Sequence, residues 1–146
     1  MAVALRKAAD RGVIDAAALE APRTRAALYI DSVARLHKFR RALAASPAAS
    51  ALPASFSLGY VESGLWTRYS QSDGGSEVEV RTDGPADGEA VVLTGEPVLT
   101  ALLAGTLSVD RAVAEGLVVI DADGRETAAI RQALMASSSY DKISSR

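Results

Sequence analysis

The sequence predicts an α+β domain: a curved, mainly antiparallel sheet of about five strands with helices on one face, behind a helical N-terminal segment. Three observations carry this. The hydrophobic period is helical up to about residue 45 and becomes two after the small-residue stretch "SPAASALPAS". Four strand patterns then follow one another, separated by turn residues. Two short apolar runs, each stopped by a glycine, lead to an apolar run and a closing amphipathic pattern.

Residues 2–20 are alanine-rich and read as one or two short helices, broken at Gly12 and resumed near Asp15, which can cap "AAALE". "APRTRAALYIDSVARLHKFRRALAA" is the longest helical pattern, with Pro22 suited to a first turn because its missing N–H is not needed there. Tyr29, Val33, Leu36 and Leu43 recur at helical spacing, Ile30 and Phe39 flank them, and Arg35, Lys38 and Arg41 line another face. The helix is expected to stop by Ser46-Pro47, since proline disfavours helix in the residue before it.

Beyond the linker, "FSLGY" and "LWTRYSQ" read as strands joined near Ser63-Gly64. "SEVEVRT" alternates, with Val78 and Val80 on one face and Glu77, Glu79 and Arg81 on the other, after the hairpin signal Asp73-Gly74-Gly75. "DGPADG" is a polar turn and "EAVVLT" a fourth strand. Thr94 can cap a helix carrying Val98, Leu99, Leu102 and Leu103 and ending at Gly105. Ser108 can cap a second, "VDRAVAE", ending at Gly116. Both glycines read as left-handed helix stops, so the echo between "TLSVD" and "LVVID" is helix-stop grammar and not a repeat. "LVVID" lacks alternation and is expected to be covered on both sides. "RETAAIRQALMAS" closes the fold, with Ile130 and Leu134 inward. The division expected is a helical segment over 1–46, a linker over 47–55, an α+β domain over 56–137 and a flexible tail over 138–146.

The chain has 146 residues, 49% of them hydrophobic and 23% charged, the composition of a globular protein. Its formal net charge of −2 gives no reason to expect nucleic acid. The charge is uneven: Arg6, Lys7, Arg11, Arg35, Lys38, Arg40 and Arg41 lie in the first part, while Glu77, Glu79, Asp83, Asp87, Glu89, Asp121 and Asp123 weight the second. Such a split suits internal or dimeric complementarity as well as an outside partner. The absence of cysteine excludes disulfides and thiolate chemistry. No run approaches the ~18 apolar residues of a membrane span, no cleaved signal is expected, and the cytoplasm is the default compartment.

The order of strands, two glycine-stopped helices, strand and helix resembles the type-2 sterol carrier protein fold. The resemblance lies in residues 91–135. "VVLTGEPVLTALLAG" is similar to the family's strand-and-helix segment. "DRAVAEGLVVIDADGRETAAIRQAL" is similar to its short helix, glycine, apolar strand and Asp-Gly turn into the closing helix, with Ala112 or Ala114, Gly116, Leu117 to Asp121 and Asp123-Gly124 in those places. The linker before the first strand departs from the family, and residues 55–72 match by strand propensity alone. What the resemblance implies is carriage without catalysis: an apolar cavity under the sheet that takes a lipid or other hydrophobic small molecule. Candidate wall residues are Val78, Val80, Val91, Leu93, Leu99, Leu102, Leu103, Val118, Ile130 and Leu134, with Tyr60 and Trp66 at the mouth beside Tyr69. The same residues suit the core of any two-layer fold.

Sharper chemistry finds little support. His37, the single histidine, sits among Lys38, Arg40 and Arg41 without an orienting partner, and reads as a solvated helix residue. "DADG" begins like a calcium loop, but the twelfth position from Asp121 is Gln132 where a glutamate is required. One histidine and no cysteine argue against zinc. No metal, cofactor or catalytic residue is expected. The alternative to a carrier is a filled-core interaction module that docks an acidic protein surface through Arg35, Lys38, Arg40 and Arg41, or self-associates as a homodimer. Ala128, Ala129 and Ala133 allow the close packing such a core needs.

Overall fold

The computed structural model describes residues 1–20, 24–81 and 83–138. Pro22 and the last eight residues of the expected tail lie outside them. In chain order the elements are α1 (Ala2–Asp10), α2 (Ala16–Glu20), α3 (Arg25–Ala44), a 3-10 turn (Ala49–Ala51), β1 (Ser55–Tyr60), β2 (Leu65–Ser72), β3 (Gly75–Arg81), β4 (Ala90–Thr94), α4 (Glu96–Leu103), α5 (Val109–Ala114), β5 (Val118–Asp121) and α6 (Gly124–Ser137). The break after α1, the four successive strands and the two glycine stops fall where the sequence puts them.

The five strands form one mixed sheet in the order β3-β2-β1-β4-β5. Three neighbouring pairs are antiparallel, and β1 runs parallel to β4 at the centre. Register assigns every strand residue to a side. Phe56, Leu58, Tyr60, Leu65, Thr67, Tyr69, Val78, Val80, Val92, Thr94, Val118 and Ile120 share one face. Ser57, Gly59, Trp66, Arg68, Glu77, Glu79, Val91, Leu93, Val119 and Asp121 share the other.

The core lies between the first face and the helices. Leu36, Phe39, Leu58, Tyr60, Val92, Leu99, Leu102, Leu117, Ile130 and Leu134 are fully buried there in one continuous cluster, which also takes in Leu5, Ala8 and Ile14 from the N-terminal end. Tyr69 stacks on Phe56 with ring centres 5.1 Å apart and meets Phe39 edge-on at 5.4 Å. Its hydroxyl donates to the Leu36 carbonyl at 3.2 Å, so the one polar atom of that trio is satisfied.

Helix ends follow local chemistry. Asp15, Thr24, Ser108 and Asp123 each accept an N–H from the first turn of α2, α3, α5 and α6. Gly105 and Gly116 take φ of +70° and +68°. In that left-handed turn Thr106 N–H reaches Ala101 O and Leu117 N–H reaches Ala112 O, which satisfies carbonyls left open at the ends of α4 and α5.

Three local expectations are corrected. Thr94 does not cap α4. Gly95 holds the cap position, and the Thr94 hydroxyl donates to Leu117 O at 3.0 Å, tying β4 to the start of β5. The stripe of α3 that packs is Ser32, Leu36, Phe39 and Leu43. Tyr29 and Ile30 are 54% and 66% exposed, because the turns before Ser32 make no core contact. Residues 117–121 are not covered on both sides either: β5 is an edge strand, with Val118 buried and Val119 43% exposed on the face no helix covers.

Candidate functional site: a cleft between the N-terminal loop and the fourth helix

α1 ends in a sharp turn at Gly12, where φ is +67° and the N–H groups of Gly12 and Val13 close onto Ala9 O and Ala8 O. The chain then runs along α4 before Asp15 opens α2. Between this loop and α4 lies a cleft of about 540 Å³. Ile14, Pro97 and Ala101 are buried at its floor, and Asp15, Thr100 and Ala104 are exposed at its rim. Pro97, Thr100, Ala101 and Ala104 fall on one stripe of α4, all small or compact, so that face of the helix cannot fill the space beside it.

The opposite stripe of α4 carries Val98, Leu99, Leu102 and Leu103, all buried in the core. The structure therefore separates the residues expected to wall a cavity. Tyr60, Val78, Val80 and Val118 sit on the helix-covered face with Leu99, Leu102, Leu103, Ile130 and Leu134, and these side chains pack together as core. Trp66, Val91 and Leu93 lie on the other side of the sheet, as β-pleating requires of residues an odd number of positions from Leu65 and Thr94, the register partners of Tyr60. A gap of about 10 Å³ beside Phe56, Tyr69 and Arg40 has room for roughly one water.

The basic stretch of α3 is turned inward in part. Arg35 pairs with Glu96, which also accepts the Ser32 hydroxyl at 3.0 Å. Arg40 donates to Ser76 O at 2.8 Å, bracing α3 on β3, whereas Arg41 is exposed and Lys38 half-buried. Glu62 accepts the Glu96 N–H at 3.2 Å and so serves the open first turn of α4. Burial pushes the Glu62 carboxyl above its ordinary range, against the lowering effect of those backbone hydrogen bonds. Burial likewise raises the Tyr60 hydroxyl, and neither it nor Thr67 Oγ1 has a hydrogen-bond partner among the described residues. His37 is exposed on α3. Among the described residues no cluster of three or more histidine or carboxylate side chains could hold a metal, and no helix is long and apolar enough to cross a membrane.

No protein-family model matches the sequence, and no curated protein does. Solved structures do. A "UbiJ-SCP2 Ubiquinone synthesis protein" superposes with a TM-score of 0.52 at 15% identity, covering 83% of this chain and 98% of that one. The fold is that of a type-2 sterol carrier protein-like domain. Sterol carrier protein 2 itself gives a TM-score of 0.49 at 16% identity, over 72% of this chain and 94% of that one. The sec-alkylsulfatase Pisa1 from Pseudomonas sp. gives 0.44 at 18% identity, and there the match spans 57% of this chain but 13% of the sulfatase. The match to the first of these structures thus takes in more of the chain than the segment whose motifs carry the resemblance. None of the cleft residues stands out in the sequence as a site. The signal that could have found them is the small-residue stripe of α4, back to back with its leucine stripe.

Proposed function

We propose that this chain binds a hydrophobic small molecule without catalysis, in the cleft between the Gly12–Asp15 loop and α4. The cleft itself carries the reading. Its volume of about 540 Å³ falls within the range of roughly 300–1,000 Å³ typical of small-molecule sites, and its floor is apolar. Each methylene buried contributes about 0.8 kcal/mol, so a chain of about ten carbons gains about 8 kcal/mol, enough to offset an association cost in the lower part of the range of roughly 4–15 kcal/mol. Support also comes from the neighbour of the same fold, described as a ubiquinone synthesis protein, whose length this chain covers almost completely.

The test is binding of an uncharged naphthylamine dye, with native mass spectrometry of the freshly purified protein alongside. Saturable dye binding that Ala104→Trp weakens about tenfold, the equivalent of roughly two buried methylenes, supports the cleft as the site. Ala104 is exposed, so a tryptophan there fills the cleft without entering the core. Absence of both dye binding and any co-purified small mass, or dye binding indifferent to Ala104→Trp, overturns the proposal.

A further inference from the structure

The polar side chains lining the cleft, Asp15, Thr100 and Thr106, all turn acceptor atoms toward it, and this identifies the head group it receives; the inference rests on the cleft being the ligand site. The two threonine hydroxyls spend their protons inward, Thr100 on Glu96 O at 2.9 Å and Thr106 on Ala101 O at 3.2 Å, so toward the cleft they offer lone pairs. Asp15 adds a carboxylate at the rim, held by the Ala17 N–H at 2.9 Å. Lysine, arginine and histidine are absent from the lining.

We infer that the cleft selects an amphiphile whose head donates hydrogen bonds, an ammonium ahead of a hydroxyl, and disfavours one with an anionic head such as a fatty acid. An anion there would face the Asp15 carboxylate with no donor side chain among the lining residues to receive it, whereas an ammonium finds that carboxylate and two threonine oxygens as acceptors. Asp15 supplies the full charge and therefore most of the discrimination.

Decylamine, decanol and decanoate, identical in chain and different in head, are titrated below their micelle concentrations at neutral pH, with the methyl resonances of Ile14 and Ala101 as the reporter. The expected order is amine, alcohol, carboxylate, with about fivefold between the extremes, the scale of an exposed charge pair acting once in each direction. Asp15→Asn keeps the α2 cap, since asparagine caps as well as aspartate. It is expected to cut the amine-to-carboxylate ratio to within about twofold and to leave decanol unchanged. Decanoate binding as tightly as decylamine, or a ratio unaltered by Asp15→Asn, overturns the head-group assignment while leaving the cleft as the site. If none of the three moves the Ile14 and Ala101 methyls, the site itself is wrong and the assignment falls with it.

Discussion

The two sides of the sheet are built from the same strands and held by different physics. On β1, Phe56, Leu58 and Tyr60 face the helices while Ser57 and Gly59 face away. The helix-covered side is a layer of interlocking apolar side chains in which each residue has many partners. Its stabilisation is non-directional and spread over a large area. Among the described residues no helix covers the far side. There the segment 83–89 folds back, and Glu89 ties it down: Arg68 donates to both carboxylate oxygens at 2.8 and 3.1 Å, Ser57 Oγ donates at 2.7 Å and Ala86 N–H at 3.0 Å. Trp66 lies over Gly59 and reaches toward Gly84. One side thus rests on area, the other on a single directional knot beside one aromatic lid.

The comparison is broken most severely from the area side. Phe39→Ala removes a fully buried ring that meets Tyr69 edge-on, and it is expected to cost about 3–5 kcal/mol in denaturant unfolding. A loss below about 1 kcal/mol would mean that the helix layer is not the main store of stability. On the far side, a Cβ at Gly59 would lie 2.9 Å from a ring carbon of Trp66. Gly59→Ala should therefore cost about 2 kcal/mol, and Trp66→Leu in the same chain should restore much of it. Additive effects of the two changes would show that the indole does not sit on Gly59.

The smallest effect sharpens the contrast because it depends on pH. Burial acts to raise the Glu89 carboxyl, but hydrogen bonds from Arg68, Ser57 and Ala86 outweigh it and hold the pKa at about 2, below the ordinary 4.5. A carboxylate lowered on folding stabilises fully above its unfolded pKa, and the contribution is lost as pH falls from about 4.5 toward 2. Glu89→Gln is expected to cost about 1 kcal/mol at pH 7, after allowance for solvent around the pair, and next to nothing at pH 2. Equal losses at the two pH values would show that the knot holds by shape and not by charge. Phe39→Ala, by contrast, carries no such pH window.

Much of the architecture is legible in the residues because it is set locally. Alternation in "SEVEVRT" places Val78 and Val80 together, the caps Asp15 and Ser108 act on N–H groups two and three residues on, and Gly12, Gly105 and Gly116 supply the left-handed stops. The misreadings all involve groups whose partners are distant in sequence. Thr94 looks like a cap until Leu117 offers it a carbonyl. "LVVID" looks doubly buried until it becomes the edge of the sheet.

The candidate site shows the same division more sharply. The apolar residues singled out from the sequence are real elements of the fold, but pattern alone does not say which side of the sheet they face together. Register does, and it sets Trp66, Val91 and Leu93 apart from Tyr60 and Val118. By itself the sequence determined where elements begin, end and turn, because hydrogen bonding and φ preference act over a few residues. Only the tertiary structure decided that the space left open lies behind α4, because a cleft exists where two distant segments meet and their side chains are too small to fill the interval.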